Sequence, residues 1–355
     1  MKTKSFTISY LLITTLFLAA LSCNQAGNKQ LKNQQSQESN PLNKCVVAFY
    51  NVENLFDTID NPNTFDNDFL PTTDLKWNTQ RYTKKLNDLA KVLQTIVSTS
   101  LPVLIGLAEV ENKAVVEDLS QKTGLKKGNY EVVHEQSPDE RGIDVALMYR
   151  SEWFEYMEHE AVEIQYPFEK DDKTRDILYV KGILAGTDTL HIFFFFLSSR
   201  RGGVEASQPK RVFAAELLKS KINTILAENK NAGIIIMGDM NDEPQNKSLA
   251  ETLGARGDKN SPLFNLMYNK DLQDLGTYNY RGNWNLLDNL IVSQGLLDAK
   301  DDFYVESAEG HIFQKEWMLF KHDKYGYTPN RTYGGPNYYG GYSDHLPVYL
   351  ILKKE

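Results

Sequence analysis

The sequence predicts an α/β fold, in which strands buried on both faces alternate with helices that cover a sheet. Apolar runs such as residues 234–237 are uninterrupted, as is typical of strands with no solvent-facing side. Residues 77–97 and 209–227 carry apolar side chains at helical spacing, which predicts two amphipathic helices. The basic residues of the first helix are expected to face solvent. Several apolar runs end in acidic or amide residues, so we expect polar chemistry at the edge of a sheet.

The first 22 residues match a secretory signal, with Lys2 and Lys4 followed by an apolar run at 8–21 that is short for a membrane span. Residues 20–23, Ala-Leu-Ser-Cys, resemble the lipobox of bacterial lipoproteins, in which the cysteine is lipidated. The alternative is an ordinary signal peptide cut nearby, with Cys23 discarded. Residues 23–42 are polar and predict a disordered tether. We therefore expect an exported protein of the cell envelope, anchored in the membrane through a lipid on Cys23, or otherwise periplasmic or secreted.

Residues 43–355 predict one large domain, with two domains as the alternative, because about 310 residues suffice for a large core and no linker interrupts them. With Cys23 acylated, Cys45 has no intrachain disulfide partner. Removal of the signal changes the formal charge from −8 to −10, since it carries two lysines. This acidity argues against tight, sequence-independent binding to nucleic acid, although a bound cation could still allow action on phosphates. No protein partner is inferred.

Oxygen-bearing side chains follow three predicted strands. Asn51 and Glu53 end the strand at 46–50 and are expected to share one face. Glu109 ends a buried strand, where a carboxylate must be paired, protonated or bound to a metal. Together with Asp239, these groups suit a hard divalent ion. Glu111 is expected to face solvent or to cap a helix.

Two loops and the C-terminal region add further candidates. Arg141 lies in the polar turn 137–144. It is expected either to make a bidentate contact with a phosphate or to form a surface salt bridge to Asp139 or Asp144. The basic loop 198–203 either clamps an anion or is an exposed turn. Asp288 enters an apolar strand, and His345 lies just ahead of the last one. With a carboxylate in reach, His345 would be held in one tautomer or charge state.

In chain order these motifs resemble the endonuclease/exonuclease/phosphatase superfamily, which has the DNase I-like fold. The turn at 137–144 also looks like the bacterial branch of that family, here as a secreted lipoprotein. The resemblance implies a four-layer sandwich, with two packed mixed β-sheets flanked by helices. The segments that carry it are Asn51-x-Glu53, Glu109, Gly238-Asp239-Met240-Asn241, Asp288 and Ser343-Asp344-His345.

The resemblance also implies Mg²⁺- or Mn²⁺-dependent cleavage of a phosphodiester substrate, with nucleic acid as one option. Asp239 would orient or deprotonate the attacking water, and Asn241 would help to position it or the phosphate. His345, paired with Asp288, would hydrogen-bond the phosphoryl oxygen, and Arg141 is the candidate phosphate contact. The implied metal ligands are Glu109 as the main one, assisted by Asn51, Glu53 and Asp344.

One departure from the family pattern bears on activity. Where bacterial members read Asn-His, this chain has Phe195 and Phe196, and phenylalanine cannot donate a proton. His191 lies five residues back, on the opposite face and about 16 Å away along an extended strand, so we expect no substitution by it. Such a loss lowers rates by roughly 10² to 10⁴. Two interpretations follow: an impaired phosphodiesterase, or a metal- or phosphate-binding pseudoenzyme of the same fold.

Substrate choice is less visible in the sequence. Residues 303–342 are rich in aromatic residues and glycine, and they either line a substrate groove or form a packed surface excursion. Tyr280, Gly282 and Trp284 are candidates for a wall against a sugar or a base.

Overall fold

The computed structural model describes residues 42–98, 100–200, 202–297 and 302–354. In this part of the chain the helices are α1 (Thr79–Thr95), α2 (Lys113–Gln121), α3 (Val204–Glu228) and α4 (Tyr268–Asp271), with a π-helical turn at Lys247–Leu253. Short 3₁₀ turns occur at Asn67–Phe69, Gly124–Gly128, Gln294–Leu296, Glu306–Ala308 and Glu316–Met318. The strands are β1 (Lys44–Leu55), β2 (Leu104–Val110), β3 (Tyr130–His134), β4 (Asp144–Arg150), β5 (Phe154–Val162), β6 (Ile177–Leu184), β7 (Asp188–Phe196), β8 (Gly233–Asp239), β9 (Ala255–Arg256), β10 (Leu263–Asn265), β11 (Tyr278–Tyr280), β12 (Asn283–Asn285), β13 (Asp288–Ser293), β14 (Tyr304–Val305), β15 (His311–Ile312), β16 (Leu319–His322), β17 (Gly326–Pro329), β18 (Tyr333–Gly334), β19 (Asn337–Tyr338) and β20 (Val348–Lys353).

The predicted signal peptide and Cys23 lie outside the described residues, as does the predicted tether except for its last residue. Among the described residues, none of the helices combines the length and the apolar character needed to cross a membrane. The export, the lipid anchor and the tether stay predictions.

Two mixed seven-stranded sheets form the body of the described chain. The first has the order β14-β20-β1-β2-β4-β3, with β15 also pairing with β20, and the second has the order β5-β6-β7-β8-β13-β10-β9. The pairs β1–β2 and β7–β8 are parallel. Because β20 pairs with β1, the end of the chain completes the first sheet beside its first strand.

The four consecutive phenylalanines show how the layers are packed. Phe194 and Phe196 lie in the core between the two sheets, whereas Phe193 and Phe195 lie in a second core beneath α3. This alternation is expected of a strand buried on both faces. A third core joins β1 and β2 to α1 and α2 on the outer side of the first sheet. The predicted four-layer sandwich, helices outside two packed sheets, is confirmed.

Gly106, on β2, sets how closely the two sheets approach. A Cβ at this position would lie 2.6 Å from a ring carbon of Phe194 and 3.0 Å from Sδ of Met237, both across the sheet interface. Gly106→Ala should therefore lower the free energy of unfolding by about 1–3 kcal/mol, as overpacking in a filled core does. Urea unfolding followed by tryptophan fluorescence measures this. An unchanged free energy would contradict the close packing.

Cys45 is a free thiol buried between the sheets. Burial raises the pKa of this thiol to about 12. Since only the thiolate is a good nucleophile or metal ligand, Cys45 serves as a small apolar core residue.

Candidate active site

Glu109 leaves the regular ladder of the first sheet at a double bulge. Pairing of β1 with β2 runs to Asn51 opposite Ala108 and resumes only at Leu55 opposite Val110, and pairing of β2 with β4 skips Glu109 as well. Glu109 has a φ of 65°, a left-handed backbone that non-glycine residues rarely adopt. Bulges and strained backbone of this kind re-aim side chains at functional sites. The side chain of Glu109 is thereby directed to neighbours on other elements.

The carboxylates of Glu109 and Asp239 converge on one amide. Nδ2 of Asn51 lies 3.3 Å from Oε1 of Glu109 and 3.0 Å from Oδ2 of Asp239, and the backbone N–H of Asn54 donates to Oε2 of Glu109 over 3.0 Å. Asn51 and Glu109 come from the first sheet and Asp239 from the second. The contact therefore joins the two sheets at the end of the sandwich and concentrates negative charge around a single donor.

Asp239 and Asn241 are fixed by the turn that ends β8. The backbone N–H of Asn241 donates to Oδ1 of Asp239 over 3.0 Å, and Nδ2 of Asn241 donates to the carbonyl of Leu197 over 3.0 Å. Arg200 donates from Nε to the carbonyl of Asn241 over 2.7 Å, so one arginine of the predicted basic loop anchors this turn. Burial raises the pKa of Asp239 to about 7; His345 opposes that rise and the nearby carboxylates add to it.

His345 lies between two aspartates. Its Nδ1 is 2.7 Å from Oδ2 of Asp288, and its Nε2 is 3.7 Å from Oδ2 of Asp239. Ser343 secures this segment, because its hydroxyl donates to the carbonyl of Asn51 over 2.7 Å and accepts from the N–H of His345 over 3.1 Å. Burial lowers the pKa of His345, but attraction to the aspartates outweighs it and the net pKa lies well above the ordinary value. A protonated imidazole here is a fixed hydrogen-bond donor.

Glu53 and Asp344 belong to a second group centred on Arg331. Glu53 accepts from the backbone N–H of Thr332 over 2.6 Å and of Tyr333 over 3.3 Å. Arg331 lies with Nη2 2.8 Å from Oδ2 of Asp344 and with Nε 3.6 Å from Oε1 of Glu53. Burial raises the pKa of Glu53 to about 7, and Asp344 contributes to the rise.

The sequence predicted that Asn51 and Glu53 share one face, but in the structure their side chains contact different groups. Alternation along β1 is interrupted after Asn51, and Glu53 has a φ of 51°. The carboxylate of Glu53 consequently bonds to the segment at 331–333, whereas the amide of Asn51 bonds to Glu109 and Asp239.

Two charged residues expected to face solvent are buried instead. Lys85, on α1, is 2% exposed and donates from Nζ to Oγ1 of Thr332 over 2.6 Å and to the carbonyl of Tyr342 over 2.7 Å. Burial lowers the pKa of Lys85, and Glu53, Asp344 and Glu109 oppose that change. Glu111 is 4% exposed and accepts from the N–H of Asp57 over 2.6 Å. Lys85 precedes Leu86 and Leu89 by one and four positions, so helical spacing alone places it on the buried stripe.

Arg141 and Arg175 share the carboxylate of Asp139. Nε of the half-exposed Arg141 is 3.8 Å from Oδ1 of Asp139, which is the salt-bridge geometry foreseen as one alternative. Arg175, which sequence patterns did not identify, is 7% exposed and donates from Nη1 to Oδ2 of Asp139 over 2.9 Å and from Nη2 to the carbonyl of Leu197 over 2.9 Å. Its guanidinium carbon lies 4.1 Å from the ring centroid of Phe196. Arg175 thus places a buried cation against the ring of Phe196.

Phe195 and Phe196 have different surroundings. Phe196 pairs with Asp239 in the β7–β8 register, is 5% exposed and points into the core between the sheets. Phe195 is 1% exposed and lies beneath α3. His191 occupies β7 five residues earlier, where its Nδ1 is 2.8 Å from the hydroxyl of Tyr179. Phe196 is therefore the member of the pair that borders the candidate site.

The donor set fits a hard divalent cation. Among the described residues, no group of three or more His, Cys, Asp or Glu side chains has metal-site spacing. Carboxylate and amide oxygens are nevertheless the ligands that Mg²⁺ and Mn²⁺ prefer, and Glu109 and Asp239 already converge on one donor. A bound cation would favour the ionised forms of Glu53 and Asp239, whose pKa burial raises to about 7. The charged side chains of this region are Glu53, Glu109, Asp239, Asp288 and Asp344, with Lys85, Arg331 and His345.

Comparison with known proteins agrees with this architecture. No curated protein sequence matches the chain significantly. An endonuclease/exonuclease/phosphatase family protein from Bacteroides thetaiotaomicron is similar in structure, with 15% identity, a TM-score of 0.54, and 88% of this chain and 98% of that chain covered. A mannosyl-6-phosphatase from Bacteroides thetaiotaomicron VPI-5482 has 15% identity, a TM-score of 0.52, and coverage of 87% and 99%. Truncated Caenorhabditis elegans TDP2 has 16% identity, a TM-score of 0.52, and coverage of 87% and 97%.

At these identities the solved structures establish the fold alone. The family itself follows from the sequence, since residues 46–354 match the model of the Endonuclease/Exonuclease/phosphatase family. This match spans both sheets and every candidate site residue. The chain belongs to the Endonuclease/Exonuclease/phosphatase family.

Proposed function

We propose that this protein is a metal-dependent phosphodiester hydrolase, endonuclease-like in its chemistry, exported and anchored to the cell envelope through a lipid on Cys23. The observation that carries the activity is the placement of His345 between Asp288 and Asp239, with Asp239 also in contact with the Asn51–Glu109 pair. His345 as a hydrogen-bond donor, Asp239 as a potential base and the Asn51–Glu109 pair as a cation site are therefore linked by direct contacts. Family membership supports the reaction class.

Each residue of the candidate site has its own role in the proposed hydrolysis. Asp239 orients the attacking water and accepts its proton as the new P–O bond forms, and Asn241 holds the turn that aims this carboxylate. The P–O bond to the leaving group breaks in the same displacement, and the departing oxygen takes its proton from solvent because Phe196 supplies none. His345 donates to the phosphoryl oxygen while negative charge builds there, and Asp288 fixes the imidazole. Glu109 with Asn51 would hold Mg²⁺ or Mn²⁺, which neutralises phosphate charge when bound. Asp344 is paired with Arg331 through Oδ2 and is the further carboxylate proposed to assist them.

Phe196 lowers the expected rate without removing this machinery. A phenyl ring supplies no proton and no hydrogen bond to the phosphate, so we expect turnover to be roughly 10² to 10⁴ below that of a site with histidine there. Arg175 against the ring leaves positive charge in the vicinity, although its guanidinium is committed to Asp139 and to the carbonyl of Leu197.

The test is hydrolysis of bis-p-nitrophenyl phosphate and plasmid DNA by the purified protein with Mg²⁺ or Mn²⁺ and with EDTA. Metal-dependent turnover is expected in the wild type, with an increase in Phe196→His. Phe195→His is the matched control, because the same change one residue earlier places the imidazole beneath α3 and not at the site. Absence of turnover in the wild type, with turnover in Phe196→His, would overturn the enzyme proposal.

A second candidate, a pseudoenzyme that binds a metal or a phosphate without turnover, is favoured by two observations. Phe196 pairs with Asp239 where the family has histidine, and Arg331 holds Asp344 at 2.8 Å. Titration of Mn²⁺ into the protein by calorimetry separates the two proposals. Binding that is lost in Glu109→Ala, in a protein with no turnover, supports the pseudoenzyme, whereas turnover lost in Glu109→Ala excludes it.

A further inference from the structure

A cleft of about 490 Å³ opens beside the catalytic cluster. Arg331 and Asp344 line it, and Asp344 is followed directly by His345. This volume lies within the range of small-molecule sites, roughly 300–1,000 Å³. A group bound in the cleft would therefore be joined to a phosphate at His345 through a short connection.

Aromatic side chains form the walls of this cleft and are left open to solvent. Tyr280 is 52% exposed, Phe320 is 51% exposed and Tyr339 is 59% exposed. The rings of Phe320 and Tyr339 are nearly parallel, at 12°, with centroids 6.4 Å apart. Single exposed apolar residues need no explanation, but three large rings around one cleft offer flat surfaces for stacking.

The cleft also carries positive charge on an acidic protein. Arg281, Lys321 and Arg331 line it, against Asp323 and Asp344, whereas the whole chain has a formal charge of −8. Such local cations raise the concentration of an anionic ligand. The side chain of Arg331 is 44% exposed and stands where the cleft meets the catalytic cluster. A phosphate that enters from the cleft would meet this guanidinium beside Asp344, which pairs with its Nη2 at 2.8 Å.

We propose that this cleft binds the ring of a ring-bearing phosphate ester, a sugar or a nucleobase, by stacking on Phe320 and Tyr339, with Arg331 contacting the phosphate. The assignment rests on the proposed function only in placing the phosphate at His345. A base stacks through its flat π-face, and a hexose packs one C–H-bearing face of its puckered ring on the same aromatic surface, so both kinds of ring suit this wall. The segment 303–342 accordingly contributes a substrate wall, one of the two alternatives that its composition left open.

Equilibrium binding tests this without requiring turnover. The purified protein, in EDTA, is titrated with thymidine 5′-monophosphate, glucose 6-phosphate and glycerol 3-phosphate, and binding is followed by calorimetry. At least one ring-bearing phosphate should bind about 10-fold more tightly than glycerol 3-phosphate, and the thymidine and glucose arms identify the kind of ring. Equal affinity for all three ligands would overturn the proposal.

Substitutions locate the binding. Phe320→Ala and Tyr339→Ala should each remove most of the preference for a ring, while Phe65→Ala, an aromatic side chain that is 70% exposed and outside this cleft, should not. Melting temperatures confirm that each variant is folded. Ring preference unchanged in both cleft variants assigns the binding elsewhere and refutes the inference. Ring binding without hydrolysis leaves the inference standing and refutes the proposed activity, so the two failures are distinct.

Discussion

Replacing Glu109 with glutamine should lower metal-dependent kcat/KM by about 10³-fold or more, because one carboxylate then no longer faces the cation-attracting group of Asn51 and Asp239. Glutamine keeps the shape and can still accept from the N–H of Asn54, so the bulge should persist. The measurement is initial-rate hydrolysis of bis-p-nitrophenyl phosphate over a Mn²⁺ titration. Weaker Mn²⁺ binding by calorimetry should accompany the loss of rate.

The matched control lies two residues away. Glu111→Gln removes a carboxylate from the same stretch of chain, but Glu111 bonds to the N–H of Asp57 and not to the cluster. This variant should keep activity within a few-fold of wild type. Equal losses in Glu109→Gln and Glu111→Gln would show that the effect comes from damage to this end of β2, and the assignment of Glu109 would fail.

Replacing His345 with glutamine should lower kcat by about 10² to 10⁴, because the donor aimed at the phosphoryl oxygen is lost. Asp288→Asn should produce a loss of similar size, since its carboxylate, 2.7 Å from Nδ1, holds the imidazole in place and stabilises its proton. Combining the two changes should add little to His345→Gln alone, because Asp288 acts through His345. The complete double-mutant cycle on kcat measures this coupling.

The cycle also has a clear negative outcome. If Asp288→Asn lowers kcat as strongly in the His345→Gln background as in wild type, Asp288 acts independently of the imidazole. Asn265→Asp serves as a control for changes in buried polar groups of the same sheet, because Asn265 bonds to Asn289 on β13 and not to His345. Asn265→Asp should lower the free energy of unfolding and should leave the coupling between Asp288 and His345 unchanged.

The sequence predicted which residues would lie at strand ends, because uninterrupted apolar runs closed by polar residues have one simple structural solution. Asn51, Glu109 and Asp239 lie at such strand ends and contact one another, and Asp288 and His345 form the pair that the family resemblance implied. Both interactions depend on the two sheets packing face to face. The family resemblance supplied that arrangement; the apolar pattern alone predicts strands without saying which sheet each one joins.

Other features of the site could not be predicted from sequence patterns, for physical reasons. The bulge that turns Glu53 toward residues 331–333 depends on left-handed backbone at two non-glycine residues, and no local signal marks such strain. Arg175 looks like an ordinary polar residue before a strand, and only tertiary packing brings it against Phe196 and Asp139. Lys85 could have been found, because its position on the buried stripe of α1 follows from helical spacing.

Pairing of β20 with β1 couples the position of His345 to the integrity of the first sheet. His345 and its Ser343 anchor come just before β20, and β20 pairs with β1 near the start of the domain. Deleting residues 343–353 would remove both the imidazole and the strand that pairs with β1, β14 and β15. Inactivity of such a variant would report loss of the fold together with loss of the donor, and only a point substitution at His345 separates the two.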